Sequence, residues 1–198
     1  AQTHEYTNNL YVISGLLQLG KFNEAIDIIQ TESAITKHQN KIVFEQIKDS
    51  TIQAILLGKL GLASENKIEL TIDNNCYLDK VPEHIQPVQL ITIIGNLLDN
   101  AIEAVKEKGN GQGVFSATDL GEDVVIEVAN NGEPIPNNLM ERIFDKGFST
   151  KNKKGRGYGL SLVKETLKEL HGDIIVQNQP AGGVVFSVFI PKIFPVSN

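Results

Sequence analysis

The feature that most limits the fold lies near the N-terminus. Tyr6, Leu10, Ile13 and Leu17 are spaced by four, three and four residues, the apolar stripe of a helix that packs on other helices. Leu19-Gly20-Lys21 breaks the pattern. Phe22, Ile26 and Ile29 resume it in a second helix expected to reach about Lys37 or beyond. Two helices joined by so short a turn lie antiparallel. One hairpin cannot cover its own stripe, whereas two can do so as a four-helix bundle. A homodimer through the hairpin is therefore the natural solution.

Behind the hairpin the patterning changes. The polar stretch His38 to Lys48 is ambiguous, and the domain boundary is placed there, giving 1–44 as the hairpin and 45–198 as a second domain. A third helix carries Ile52, Ile55, Leu56, Leu60 and Leu62, and Ile68 to Ile72 alternates like a strand. Pro87 opens a helix running to about Lys108. Val114 to Thr118 and Val124 to Val128 read as strands. A short helix near Leu139 to Phe144, a polar loop and a helix over Leu160 to Leu170 follow. Asp173 to Gln177 and Val184 to Ile190 are the last two strands. The fold class is α+β: a helical hairpin, then a largely antiparallel sheet packed on one side by helices.

The net charge of −6 argues against nucleic acid as the main partner, without excluding nucleotides at a local basic loop. The single cysteine, Cys76, rules out an internal disulfide and reads as a small apolar residue near a strand end. No run reads as long and apolar enough to span a membrane, and no membrane contact is expected of this chain. It opens on Ala1 inside a helical pattern and is expected to be a fragment of a longer protein.

Two patterns carry chemistry. On the Pro87 helix, Ile91, Ile94, Leu98, Ala101 and Val105 form the apolar stripe. Asn96, Asn100 and Glu103, at i, i+4 and i+7, share nearly the opposite face. Asparagine is a poor helix former, and its amide oxygen suits Mg²⁺. The same pattern also describes a plain solvated helix face. The second is Gly155-Arg156-Gly157-Tyr158-Gly159-Leu160, which runs into a helix and follows Lys151, Lys153 and Lys154. Glycines let backbone amides approach phosphate, and a helix N-terminus adds positive potential. It is neither a Rossmann fingerprint nor a P-loop, and a flexible surface loop has the same composition.

In order, these pieces resemble the sensor histidine kinase family. His4-Glu5 resembles the phospho-acceptor motif, and Asn96-Leu97-Leu98-Asp99-Asn100-Ala101 the N box. Asn130-Asn131-Gly132-Glu133-Pro134 resembles the first glycine box. Ile143-Phe144-Asp145-Lys146-Gly147-Phe148-Ser149-Thr150-Lys151 resembles the F box, Gly155 to Leu160 the second glycine box, and Gly182-Gly183 the closing glycine motif. The words His4 to Leu10 and Ser14 to Gly20 are similar to the subfamily sensing citrate and C4-dicarboxylates, whose kinases sit in the bacterial cell membrane.

The resemblance implies an ATP-binding α/β sandwich of the Hsp90, MutL and histidine kinase type, here as a cytoplasmic fragment. It implies phosphoryl transfer from ATP to His4, then to an aspartate of a response regulator receiver domain. Glu5 would be the base beside the nucleophile. Asn100, with Asn96, would hold Mg²⁺. Nucleotide contacts are implied at Asn96, Asn100, Asn130, Gly132, Phe144, Lys146, Thr150, Lys151, Gly155, Arg156, Gly157, Tyr158, Gly159 and Leu160. Lys146 to Arg156 would form a lid. His4 falls opposite the stripe of its helix, where an imidazole with one free nitrogen is a usable nucleophile.

Three positions depart from the family pattern. Asn130 stands where a carboxylate usually accepts from the adenine amino group, Pro134 replaces a glycine, and Val185 stands where threonine is common. They leave an alternative: a phosphotransfer scaffold with a weakened or non-functional ATP site. A third reading, an ATP-driven clamp, would need a glutamate base where this chain has Asn96, and an amide is no general base.

Overall fold

The computed structural model describes residues 11–29, 34–148 and 157–193. His4, Glu5, Thr150, Lys151, Gly155 and Arg156 lie outside them. The chain divides into two compact units, Ala1–Lys37 and His38–Asn198.

In the first unit, α1 (residues 11–18) and α2 (Phe22–Ile29) are joined by the Leu19-Gly20 turn. Gly20 has φ of 70°. Its N–H donates to Leu17 O (3.1 Å), and Lys21 N–H donates to Leu16 O (2.9 Å). These paired bonds, with glycine in the left-handed position, form a Schellman stop. Tyr11, Leu17, Leu19, Phe22 and Ile26 are exposed, while Ala25 is buried.

The second unit begins inside α3 (Ala34–Gln46), seven residues before the boundary expected from sequence. The polar stretch from His38 is helical almost to its end. Val43 and Ile47 are fully buried in this unit's core, and buried Gln39 accepts from Ile72 N–H at 2.7 Å. α4 (Ser50–Glu65) starts at Asp49, whose carboxylate accepts from Ile52 N–H at 2.9 Å.

β1 (Glu69–Ile72) leads through the loop of Cys76 and Leu78 to α5 (Pro87–Val105), which is capped reciprocally by Gln86 and Gln89. β2 (Gln112–Thr118) and β3 (Asp123–Asn130) follow. The stretch expected to be one short helix is two 3₁₀ turns, Asn137–Leu139 and Arg142–Phe144. α6 (Gly159–Glu169), β4 (Asp173–Asn178) and β5 (Val184–Pro191) complete the unit.

The five strands run in the order β1-β2-β3-β5-β4, with β1 parallel to β2 and every other pair antiparallel. Helices α4, α5 and α6 pack against the sheet. The register lines up Phe115, Val128, Phe186 and Val176 in one row, and Gly113, Asn130, Val184 and Asn178 in the row at the sheet's end. Alternation puts these rows on the covered face and leaves Val114, Glu127 and Ile175 exposed.

The core is centred on α5. Leu90, Ile93, Ile94, Leu97, Leu98, Ala101, Ile102 and Val105 are buried, each large side chain contributing roughly 1.5–3 kcal/mol. Two expectations are corrected here. Ile91 is 53% exposed and belongs to no core stripe. At 19 residues, α5 is also long and apolar enough to cross a membrane by length and composition. Its hydropathy has another cause: α5 is the helix laid along the sheet, and its apolar residues fill the core.

Candidate functional site

Helix α5 forms the floor of the candidate site. Asn96 donates through Nδ2 to Thr92 O at 2.6 Å, one turn back. That bond fixes the amide and leaves Oδ1 pointing at the N-terminus of α6. A Cβ on Gly159 would stand 2.7 Å from Asn96 Oδ1. Two turns on, a Cβ on Gly132 would stand 3.1 Å from Ala104 O and 2.7 Å from Asn130 Oδ1. Backbone without side chains therefore meets α5 at Asn96 and again at Ala104, with half-buried Asn100 midway. The eight residues between these contacts are a stretch of α5 about 12 Å long, here the trough, bounded at each end by glycine backbone.

One end of the trough is the glycine segment. Gly157, with φ of 99°, accepts from Gly147 N–H at 3.0 Å, and a Cβ there would meet Phe148 O at 2.5 Å. Gly147 and Gly157, on either side of residues 149–156, are thus fastened together. Tyr158 caps α6 and is exposed, and its carbonyl accepts from Ser161 Oγ and Leu162 N–H. Leu160 packs against the core.

The other end is the turn after β3. Asn130 is 4% exposed, and its Oδ1 accepts from Gly132 N–H at 2.9 Å. Asn131 Oδ1 accepts from Gln112 N–H at 2.8 Å, its Nδ2 donates to Asn110 O at 2.9 Å, and its carbonyl accepts from Lys108 Nζ.

Phe144 and Lys146, expected beside the nucleotide, line a different cavity of about 370 Å³ against α6 and β4. Lys146 Nζ pairs with Glu165 Oε1 at 2.7 Å, and that hydrogen bond raises the lysine pKa. Lys164 Nζ lies 5.3 Å from the Phe144 ring. On the outer side of Asn96 a groove of about 570 Å³ separates α4 from α5, crossed by the Lys59–Asp99 pair at 2.5 Å.

The structure thus places Gly159 against Asn96, and Gly132 against Asn130 and Ala104, with Asn100 on the helix between them. Sequence reading missed Thr92 and Ala104. Ala104 contributes through its backbone carbonyl, for which side-chain type gives no signal.

A single sheet with helices packed on one face, α5 central among them, defines a two-layer α/β sandwich. The chain belongs to the histidine kinase-, DNA gyrase B- and HSP90-like ATPase family, whose profile matches residues 85–193. It is 50% identical to the sensor protein CitS of Bacillus subtilis (strain 168) over 97% of this chain and 35% of that protein. It is 35% identical to the sensor histidine kinase CitA of Klebsiella pneumoniae over 96% of this chain and 35% of that protein. It is 32% identical to the sensor histidine kinase DcuS of Escherichia coli (strain K12), again over 96% and 35%.

The chain therefore spans about a third of the length of these curated relatives. Among solved structures, the nucleotide-free catalytic domain of histidine kinase ThkA superposes with a TM-score of 0.62 at 30% identity, over 72% of this chain and 90% of that one. The complex of ThkA with response regulator protein TrrA matches with a TM-score of 0.57 at 23% identity, over 96% of this chain and 60% of that one, a likeness of fold. The family expected from the motifs, and its fold, are borne out.

Proposed function

We propose that this chain is the transmitter part of a sensor histidine kinase. It binds Mg-ATP in the trough along α5 and transfers the γ-phosphoryl group to His4, then to an aspartate of a response regulator receiver domain. The observation that carries this reading is the pair of close approaches, Gly159 to Asn96 and Gly132 to Ala104, on the helix that holds Asn100. A chain of phosphates needs backbone amides within reach, which only a cleared surface allows. Asn96 Oδ1, turned toward the start of α6, and Asn100 suit the hard cation that accompanies those phosphates. When bound, Mg²⁺ supplies charge neutralisation at the phosphates.

The chain's own residues would do the rest. A neutral His4 nitrogen attacks the γ-phosphorus, the bond to the β-phosphate oxygen breaks, and ADP leaves. Glu5 takes the proton from the other ring nitrogen. Gly157 to Leu160 hold the phosphates, with Thr150, Lys151, Gly155 and Arg156 in the lid that shields them. Asn130 and Gly132 hold the base end.

The exposed Tyr11, Leu17, Phe22 and Ile26 of the first unit support a homodimer through the hairpin. The resemblance to the citrate- and C4-dicarboxylate-sensing subfamily supports placing the whole protein in the bacterial cell membrane, with this part in the cytoplasm, and the relatives' greater length leaves room for a sensing part.

The test is incubation with γ-labelled ATP and Mg²⁺, comparing the native chain with His4→Gln. An acid-labile label on the native chain alone is the expected result. Label on neither, or label that survives His4→Gln, rejects it. One observation favours the second reading, a scaffold with a weakened ATP site: Asn130 offers a neutral amide oxygen in place of a carboxylate, and that oxygen already accepts one bond, from Gly132 N–H. Failure to bind ATP at millimolar concentration would select that reading.

A further inference from the structure

We infer that Asn178 is a positioning residue for the base end of the nucleotide site, an inference that rests on the trough being that site. Asn178 is the last residue of β4, the outer strand of the sheet. In the row at the sheet's end it pairs with Val184, and Val184 pairs with Asn130. Two strand spacings, about 10 Å, therefore separate Asn178 from Asn130.

The chain leaving Asn130 crosses that gap. It passes over Gly183, whose φ is 98° and where a Cβ would stand 2.9 Å from Asn131 Cα. It then meets Asn178. Ile135 N–H donates to Asn178 Oδ1 at 2.8 Å, and Asn178 Nδ2 donates to Ile135 O at 2.8 Å.

This reciprocal pair is what a neighbouring strand would offer, supplied by one side chain. Donor and acceptor in one plane on so short an arm is a property of asparagine: serine offers one atom, and aspartate offers acceptors alone. The strand that carries it is firm, because Gln179 N–H donates to Gly183 O (2.9 Å) and Gly182 N–H to Gln179 O (3.0 Å) in the tight β4–β5 turn.

The Asn130–Ile135 segment is thus fastened at both ends, by Asn131 to Gln112 and Asn110 on the β2 side and by Asn178 on the β4 side. Between the fastenings lie Gly132, held against Ala104, and the Asn130 turn. Asn178 has no need to touch the nucleotide. It holds the turn that does.

The test uses the whole chain and Mg-ATP as the probe, with affinity by calorimetric titration, stability by urea unfolding, and hydrogen exchange at Gly132 and Ile135. Asn178→Ala is expected to weaken Mg-ATP binding about tenfold, two ordinary hydrogen bonds' worth of positioning, and to speed exchange at both amides. Val176→Ala, on the same strand and packed against the core, is the control. It should lose stability yet keep affinity within about twofold.

If Asn178→Ala does not fold, Asn178→Asp, which keeps the acceptor and loses the donor, is read in the same way. Affinity in the Asn178 variant equal to native, or a loss matched by Val176→Ala, overturns the inference while leaving the trough intact. A native chain that binds no Mg-ATP overturns the trough as the nucleotide site, and this inference with it.

Discussion

Asn96 and Gly159 face each other with no room for a side chain between them: a Cβ on residue 159 would stand 2.7 Å from the Asn96 amide oxygen. The atom in the way is the end of a side chain, so the fold can accommodate an alanine by moving it. The site cannot, because the Asn96 amide is set by its bond to Thr92 O. Gly159→Ala should leave unfolding free energy within about 1 kcal/mol of native. It should weaken Mg-ATP binding about tenfold or more, the scale of one lost charge-assisted contact. Urea unfolding and nucleotide titration on the same preparation check the two halves separately.

Gly183 presents the opposite case. A Cβ there would collide with the backbone carbonyl of Asn130, at a φ of 98°. Backbone cannot swing aside as a side chain does. Gly183→Ala should destabilise by about 1–3 kcal/mol. Its neighbour Gly182 has a similar φ of 92° but open space around it, so Gly182→Ala should cost only the backbone term of about 1–2 kcal/mol. Urea midpoints at a common slope compare the two. A Gly183 variant no less stable than the Gly182 variant would mean that the turn relaxes freely.

The contrast between these glycines reflects what could be read from the sequence. The Asn96/Asn100 face, the glycine segment before α6 and the strands around Gly121 declare themselves locally, through period, turn residues and caps. Helix α3 did not, because what holds it is remote: Gln39 bonds Ile72 N–H from 33 positions away, and Val43 is buried in the second unit's core. Ile91 fits the period yet is exposed, because a 3.6-residue period cannot say how wide the buried stripe is when a helix lies along a sheet with others beside it. Asn178 carried no signal at all, since its partner Ile135 lies 43 residues away.

Asn130 tests how far the base end has departed from the family pattern. Its single side-chain oxygen accepts from Gly132 N–H. Aspartate would keep that bond and replace the amide nitrogen by a second, charged acceptor. Asn130→Asp should tighten Mg-ATP binding about tenfold to thirtyfold, the roughly 1–2 kcal/mol between charged and neutral acceptors. Calorimetric titration of both chains checks it. Unchanged affinity would mean that the base end is read by other groups, and the scaffold reading would lose its main support.

Cys76 gives a prediction independent of the nucleotide. It is 2% exposed, and its sulfur accepts from Ala117 N–H at 3.3 Å. Burial pushes the thiol from 9.0 up to about 11; the Ala117 bond opposes the shift, and the charge of Asp73 adds to it. The folded chain therefore holds this proton more tightly than the unfolded chain does. The stability contributed by the group is complete below about pH 9 and is lost as pH rises through about 11. Two pKa units also cut the thiolate fraction about a hundredfold at neutral pH, before any shielding by the core. Iodoacetamide at pH 8 should alkylate the native chain at least about a hundredfold more slowly than the urea-unfolded chain. Mass spectrometry over a time course measures both rates. Comparable rates would show that the loop carrying Cys76 opens without global unfolding, and that its bridge from Tyr77 to Thr118 is not what keeps the thiol closed.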